Sequence, residues 1–288
     1  MLERLARSGI LLMAAAALLF SAMSALAKFC AASLPSAEVV FFRSLIATLL
    51  LLGLHRARGR ARGPLLGQRA NRPYLLLRGL LGAAALLLYF YALGEIAVAD
   101  AMLLNQCSPL FVLLLAAALL AERIRLVELL LVPVTLLGVG LVIRPDWQLL
   151  NLPGLAAFGS AALAGGAYVC VRKVTRGEQA EVVVLYFAVL STLASLPLML
   201  PGFRPPDAAT WLALGGVALF AVAAQLLLTA AYRYDLAGRV AAAGYLGPVF
   251  AGLWDYLFWD RLPSWTTWLG ALLIIGSLVA LERRAARA

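Results

Sequence analysis

Long apolar runs alternate with short polar interruptions along the whole chain, and the runs are too long for strands and too apolar for the surface helices of a soluble protein. A helix rises about 1.5 Å per residue, so crossing a ~30 Å hydrocarbon core takes roughly 20 apolar residues. Runs of this kind lie near 8–28, 38–55, 74–93, 98–120, 126–143, 153–173, 181–200, 210–232, 237–258 and 264–282. Pro64, Pro73, Pro145, Pro153, Pro201, Pro205, Pro206 and Pro263 fall in or beside the interruptions, where a residue without an amide proton ends a helix. The pattern predicts an all-α integral membrane protein of ten transmembrane helices. The basic start and first run resemble a signal peptide, but Gly9 to Ala27 is long enough to span and has a counterpart later in the chain. It reads as a retained helix.

Composition agrees. Of 288 residues, 64% are hydrophobic and 13% charged, and the mean hydropathy is +0.95. Soluble domains run near 45–50% apolar and ~25% charged, so the main partner of this surface is the lipid bilayer. A net charge of +10 would raise the question of nucleic acid in a soluble protein. Here the arginines cluster between apolar runs with no aromatic-basic stripe, so they read as topology signals and head-group contacts, and no nucleic acid is expected.

Those cations give an orientation. With the N-terminus in the cytoplasm, eighteen of the 24 lysines and arginines are cytoplasmic, six of them between Arg56 and Arg72. Lys28, Arg144, Arg204 and Arg261 are external, and Arg43 and Arg78 lie inside helices. The bias places both termini inside a bacterial-type inner membrane. Trp147, Trp211, Trp254, Trp259, Trp265 and Trp268 then fall at or near external helix ends, where tryptophan favours the interface. Cys30, Cys107 and Cys170 form no CxxC and read as small packing residues without a disulfide.

The two halves of the chain, 1–148 and 149–288, match each other. Gly9 to Lys28 overlies Gly154 to Lys173, Glu38-Val39-Val40 matches Glu181-Val182-Val183, and Ser108-Pro109-Leu110-Phe111 matches Gly247-Pro248-Val249-Phe250. Glu122-Arg123-Ile124 matches Asp260-Arg261-Leu262, and Gly138 matches Gly276. Five helices per half is an odd number, so the second half enters the membrane inverted. Inverted repeats place a binding site near the midplane and permit alternating access.

With Phe42-Arg43 near the start of the second run, twelve residues between Pro109 and Glu122, and the partner pair Pro248 and Asp260, the chain resembles the drug/metabolite transporter superfamily, EamA-like branch. The resemblance implies a transporter of small molecules and covers nearly the whole chain. Amino acid exporters (aromatic ones among them), nucleoside or cofactor permeases and drug exporters are the candidates it brings. The second half departs in carrying Asp260 where the family often has glutamate, one residue closer to the proline.

Pro109 and Pro248 interrupt their helices and release the carbonyl four residues back, that of Asn105 or Gly244, which makes them candidate hinges. Gln106 and Tyr245 each stand three residues before these prolines. Polar side chains at membrane depth face protein or water rather than lipid. Gln106, Asn105, Ser108, Tyr245, Tyr89, Tyr91, Tyr168, Gln225 and Trp254 are therefore the candidate substrate-binding residues, each of which could instead merely hydrogen-bond between helices. Arg43, about a turn from the outer end, is expected to snorkel or to pair with Glu38 or another acid in a structural role. No carboxylate relay is evident in the apolar runs, which favours a uniporter or a weakly coupled exporter over a proton antiporter. His55 reads as a solvated loop residue.

An enzyme finds no support: a single histidine rules out HExxH, and there is no GxGxxG, P-loop or GxSxG. A channel would show charged or carbonyl-rich filter segments. No catalytic residue, metal or cofactor is expected. The reading is a monomeric exporter of small neutral metabolites, with neutral or zwitterionic amino acids as the favoured class. Tyrosines, amides and freed carbonyls suit them, whereas a polyanion would need cations in the cavity, where only Arg43 is near.

Overall fold

The computed structural model describes residues 8–57, 66–108, 110–112, 114–115, 126–143, 151–174, 177–234 and 243–285. Pro109, Glu122, Trp147 and the arginines at 58–62 lie outside the described residues. Helices follow one another as α1 (Gly9–Ala31), α2 (Ser36–Ala57), α3 (Arg72–Glu95), α4 (Val98–Asn105), α5 (Leu126–Ile143), α6 (Leu152–Val174), α7 (Ala180–Met199), α8 (Ala208–Tyr234), α9 (Leu246–Trp259) and α10 (Trp265–Ala285). No strand occurs among the described residues. Among the described residues, six segments are long and apolar enough to cross a membrane: Gly9–Ala31, Ser36–Ala57, Arg69–Glu95, Leu152–Val171, Ala180–Gly202 and Ala208–Leu228. Large apolar side chains point outward all along them, as lipid-facing surface requires.

Local sequence explains several boundaries. Ser8 caps α1 by accepting from the Leu11 amide, and Pro73 stands in the first turn of α3, where its missing N–H costs nothing. His55, expected in a loop, is in the last turn of α2. The expected continuous runs 98–120 and 237–258 are broken instead. The helix halts at Gln106 and Cys107 and resumes at Ser108, and in the second half a turn at Tyr245 precedes α9. Each break falls just before its proline, which cannot supply the amide that would continue the ladder.

Helix pairing has a simple rule. The main partnerships are α1 with α8, α3 with α6, α5 with α10, α2 with α7, α3 with α7, α2 with α8, α1 with α9, α4 with α6, and α4 with α9. Shifting every helix by five places, with wrap-around, returns the same set. Hydrogen bonds between loops obey it too. Glu38, in the first turn of α2, accepts the Arg204 amide of the α7–α8 connection (3.0 Å). Glu178, before α7, accepts the Gln68 amide of the α2–α3 connection (2.7 Å) and the Asn71 side chain (2.9 Å). These two joints lie at opposite ends of α2. We call the Glu38 end the far end and the Glu178 end the near end.

Small residues bring backbones together where the halves cross. A methyl group on Gly138 of α5 would come within 2.8 Å of the Gly270 carbonyl of α10, and one on Gly165 of α6 within 3.0 Å of the Ser108 carbonyl. Helices in lipid associate by this kind of close packing rather than by apolar burial.

Candidate functional site

The far end holds a joint built around a carboxylate. Asp255 of α9 is 1% exposed and accepts the Val98 amide through Oδ1 (3.0 Å) and the Ala99 amide through Oδ2 (2.8 Å). It thus caps the start of α4 from the other half, where orphan N–H groups and the helix dipole favour a negative charge. Lys28 of α1 closes the end of α3, donating to the Leu93 carbonyl (3.2 Å) and the Ile96 carbonyl while lying over the Trp259 ring. The α3–α4 junction is held from both sides. Asp255 is an acid inside an apolar run that sequence reasoning did not single out, and Lys28, assigned to the external side, is buried at the end of α1.

Toward the middle, polar side chains join helices at the breaks. Gln106 donates to the Gly244 carbonyl (3.0 Å), the group that Pro248 leaves without its helical amide. Tyr89 bonds Ser24 (2.9 Å), and the Trp254 indole donates to Ser21 (3.0 Å), so α1 receives both on one face, three residues apart. Asn105 donates to Ser160 of α6 (2.7 Å). Tyr245 and Ser108 are buried at the two breaks, and Gln225 is half-buried on α8. Gln106, Tyr245, Tyr89 and Trp254 thereby gather around α1, α4 and α9. Tyr168 is 43% exposed, away from that group. Tyr91 lines an open far-end cavity of about 340 Å³ with Glu95 and Arg204.

Arg43 follows neither of its expected courses. It neither reaches the surface nor meets Glu38, whose Oε2 takes the Arg204 amide and whose Oε1 has no partner. Its guanidinium lies 5.6 Å from the Phe90 ring centre and 5.8 Å from that of Phe187. Arg78 of α3 meets the same Phe187 ring at 4.5 Å. A cation on an aromatic face gains ~2 kcal/mol when desolvated, against an insertion cost of ~2.5–3.5 kcal/mol for arginine at a helix centre. Sequence reasoning had both arginines inside helices but not their convergence. The signal was available as two cations in apolar runs, whereas their shared ring is a tertiary fact. Cys30, Cys107 and Cys170 are free and buried. Among the described residues no cluster of histidine, cysteine or carboxylate could hold a metal.

Comparison with known proteins adds a lineage. The model of the EamA-like transporter family matches twice, at residues 7–144 and 152–282. The pseudopaline exporter CntI of Pseudomonas aeruginosa is 37% identical over 281 residues, 97% of each chain. Solute carrier family 35 member G1 of Homo sapiens is 30% identical over 230 residues, 74% of this chain and 63% of the relative. A riboflavin transporter of Brucella anthropi is 28% identical over 270 residues, 87% and 89%. A solved crystal structure superposes with a TM-score of 0.65 at 25% identity, covering 96% of this chain and 98% of that one.

Proposed function

The chain belongs to the EamA-like transporter family, and on that premise we propose that it exports amino-acid-type metabolites across a bacterial inner membrane by rocking two inverted five-helix halves, 1–148 and 149–288. A membrane transporter is what the family and the helices establish; the substrate, the direction and the ten-span topology are our reading. The observation that carries it is the pairing rule. Because every main partnership survives exchange of the halves, each state of the bundle has a mirror state in which near and far ends trade roles, and that is the geometric requirement of alternating access. Both termini are cytoplasmic, so the far end faces outward. There the Asp255–Lys28 joint closes the path.

Substrate sits between the halves, against Gln106, Asn105, Ser108, Tyr245, Tyr89 and Trp254, with Gln225 and Tyr91 along the route. Pro109 and Pro248 act as hinges. The Gln106 bond to the Gly244 carbonyl supports this, since it ties one break to the other and must be remade as the halves move. Amides and hydroxyls suit the ammonium and carboxylate of an amino acid, and the ring-rich lining suits aromatic side chains. The protein works as a monomer without a cofactor.

The test is uptake of labelled phenylalanine, tryptophan, threonine and methionine into liposomes containing the purified protein. Transport above that of empty liposomes is expected for at least one. If none moves while a nucleoside or a cationic dye does, the amino acid class is wrong. Reporter fusions at Leu65 and Gln148 test orientation: an external signal at Leu65 would overturn it.

A further inference from the structure

Two buried arginines in the bundle meet no carboxylate among the described residues. Arg43 and Arg78 are 5% and 7% exposed, and the Nε of each has no hydrogen-bond partner. They come from different helices, α2 and α3, and converge on one ring of a third, Phe187 of α7. The acids of the elements packed around them are placed elsewhere, Glu38 keeping its Oε1 without a partner. On α2, Glu38 takes the Arg204 amide. On α3, Glu95 is exposed at the far end. On α7, Glu181 stands in the first turn, and no carboxylate of the described residues acts on either guanidinium. Around Arg78 the titratable neighbours are Tyr168 and Cys170 of α6. Near them the backbone leaves room on purpose: a methyl on Gly82 would run into the Arg78 guanidinium and the Phe187 ring.

A buried cation is kept in membrane proteins where something pairs with it. The aromatic faces offset only part of the cost, and they leave the in-plane Nε–H of each guanidinium, part of its carboxylate-binding edge, without a partner. Two such edges around one ring match two carboxylates. We propose that Arg43 and Arg78 together bind a dicarboxylate substrate of the amino-acid type, its two carboxylates supplying the charge that the fold omits. The inference rests on the transporter reading above and adds a second acidic group to the zwitterion expected there.

Purified full-length protein in nanodiscs tests this without any flux. The probes are glutamate and succinate against their amides, glutamine and succinamide. The dicarboxylates are expected to raise the unfolding temperature, and the amides are not. Arg43→Gln and Arg78→Gln should each weaken dicarboxylate binding about tenfold or more, the scale of one charge-assisted hydrogen bond. Without ligand, Arg43→Met and Arg78→Met should unfold at or above the wild-type temperature, because each removes an unpaired buried charge. The proposal fails if neither dicarboxylate stabilises the wild type. It fails equally if amides stabilise as well as acids, or if the ligand-free Met variants unfold earlier, which would make the arginines structural. Liposome flux separates the two readings: glutamate transport unaffected by Arg78→Gln overturns this assignment, while phenylalanine transport above empty liposomes leaves the transporter standing.

Discussion

Two buried charged groups sit at different depths of this bundle, and they are finished to different degrees. At the far end, both carboxylate oxygens of Asp255 are used, each by an amide of the opposite half, and Lys28 completes the junction. In the middle, Arg43 and Arg78 share an aromatic ring and keep unpaired nitrogens. The first arrangement is a closed joint, able to hold one state of the transporter. The second is open to a visitor. Satisfaction of hydrogen bonds, rather than charge alone, separates the two. The repeat sharpens the point. Aligning Pro248 with Pro109 sets Asp255 opposite Ala116, so the first half carries no carboxylate at the matching position of its sequence.

The comparison can be broken most directly by welding the joint. A methyl on Gly252 would lie 4.0 Å from the Ala99 Cβ, within the separation a disulfide spans. Ala99→Cys with Gly252→Cys, on a background lacking the native cysteines, should cross-link on oxidation, arrest flux almost completely, and recover with reductant. Full cross-linking with unchanged flux would show that α4 and α9 do not part. Next in size, Asp255→Ala leaves two buried amides and Lys28 uncompensated, a loss on the order of 3–5 kcal/mol, to be read as lower yield and earlier unfolding in detergent. Asp255→Asn, which keeps one acceptor, should fall between.

Smaller effects sharpen the contrast at the middle. Gly82→Ala presses on Arg78 and Phe187 and should cost about 1–3 kcal/mol, as overpacking does, while lowering dicarboxylate affinity. Gln106→Leu removes a single interhelical bond, worth roughly 0.6 kcal/mol within membranes. Unfolding temperature should hardly move, whereas liposome flux should fall, because the Gly244 carbonyl loses its partner in one state only. Equal losses in stability and flux would make Gln106 a plain brace.

Much of the architecture was legible because lipid imposes a strict length on apolar helices and leaves no alternative for the backbone. The start of α1, the breaks before Pro109 and Pro248, and the freed Gly244 carbonyl all follow from local chemistry. What crosses between halves did not. Asp255 sits in the apolar run Leu253-Trp254-Asp255-Tyr256 as a plain anomaly, and only the fold supplies its partners 156 and 157 residues away. Tyr168 had the right composition for a lining residue, but helix rotation, invisible without a clear polar face, turns it out. Arg43 and Arg78 were each placed inside a helix, but their meeting at the Phe187 ring comes only from the fold.

The exchange of partners between halves also governs how the chain is made. During synthesis α1 must wait for α8 and α9, α3 for α6 and α7, and α5 for α10. Until then Lys28, Arg43 and Arg78 stand in a half-built bundle whose covering surfaces are still inside the ribosome. At ~5–20 residues per second, the delay between Lys28 and its neighbour Asp255 is on the order of ten seconds or more. The nascent first half is thus a natural client for insertion chaperones and membrane proteases, and a chain severed at 145–150 should assemble only when both pieces are made in the same cell.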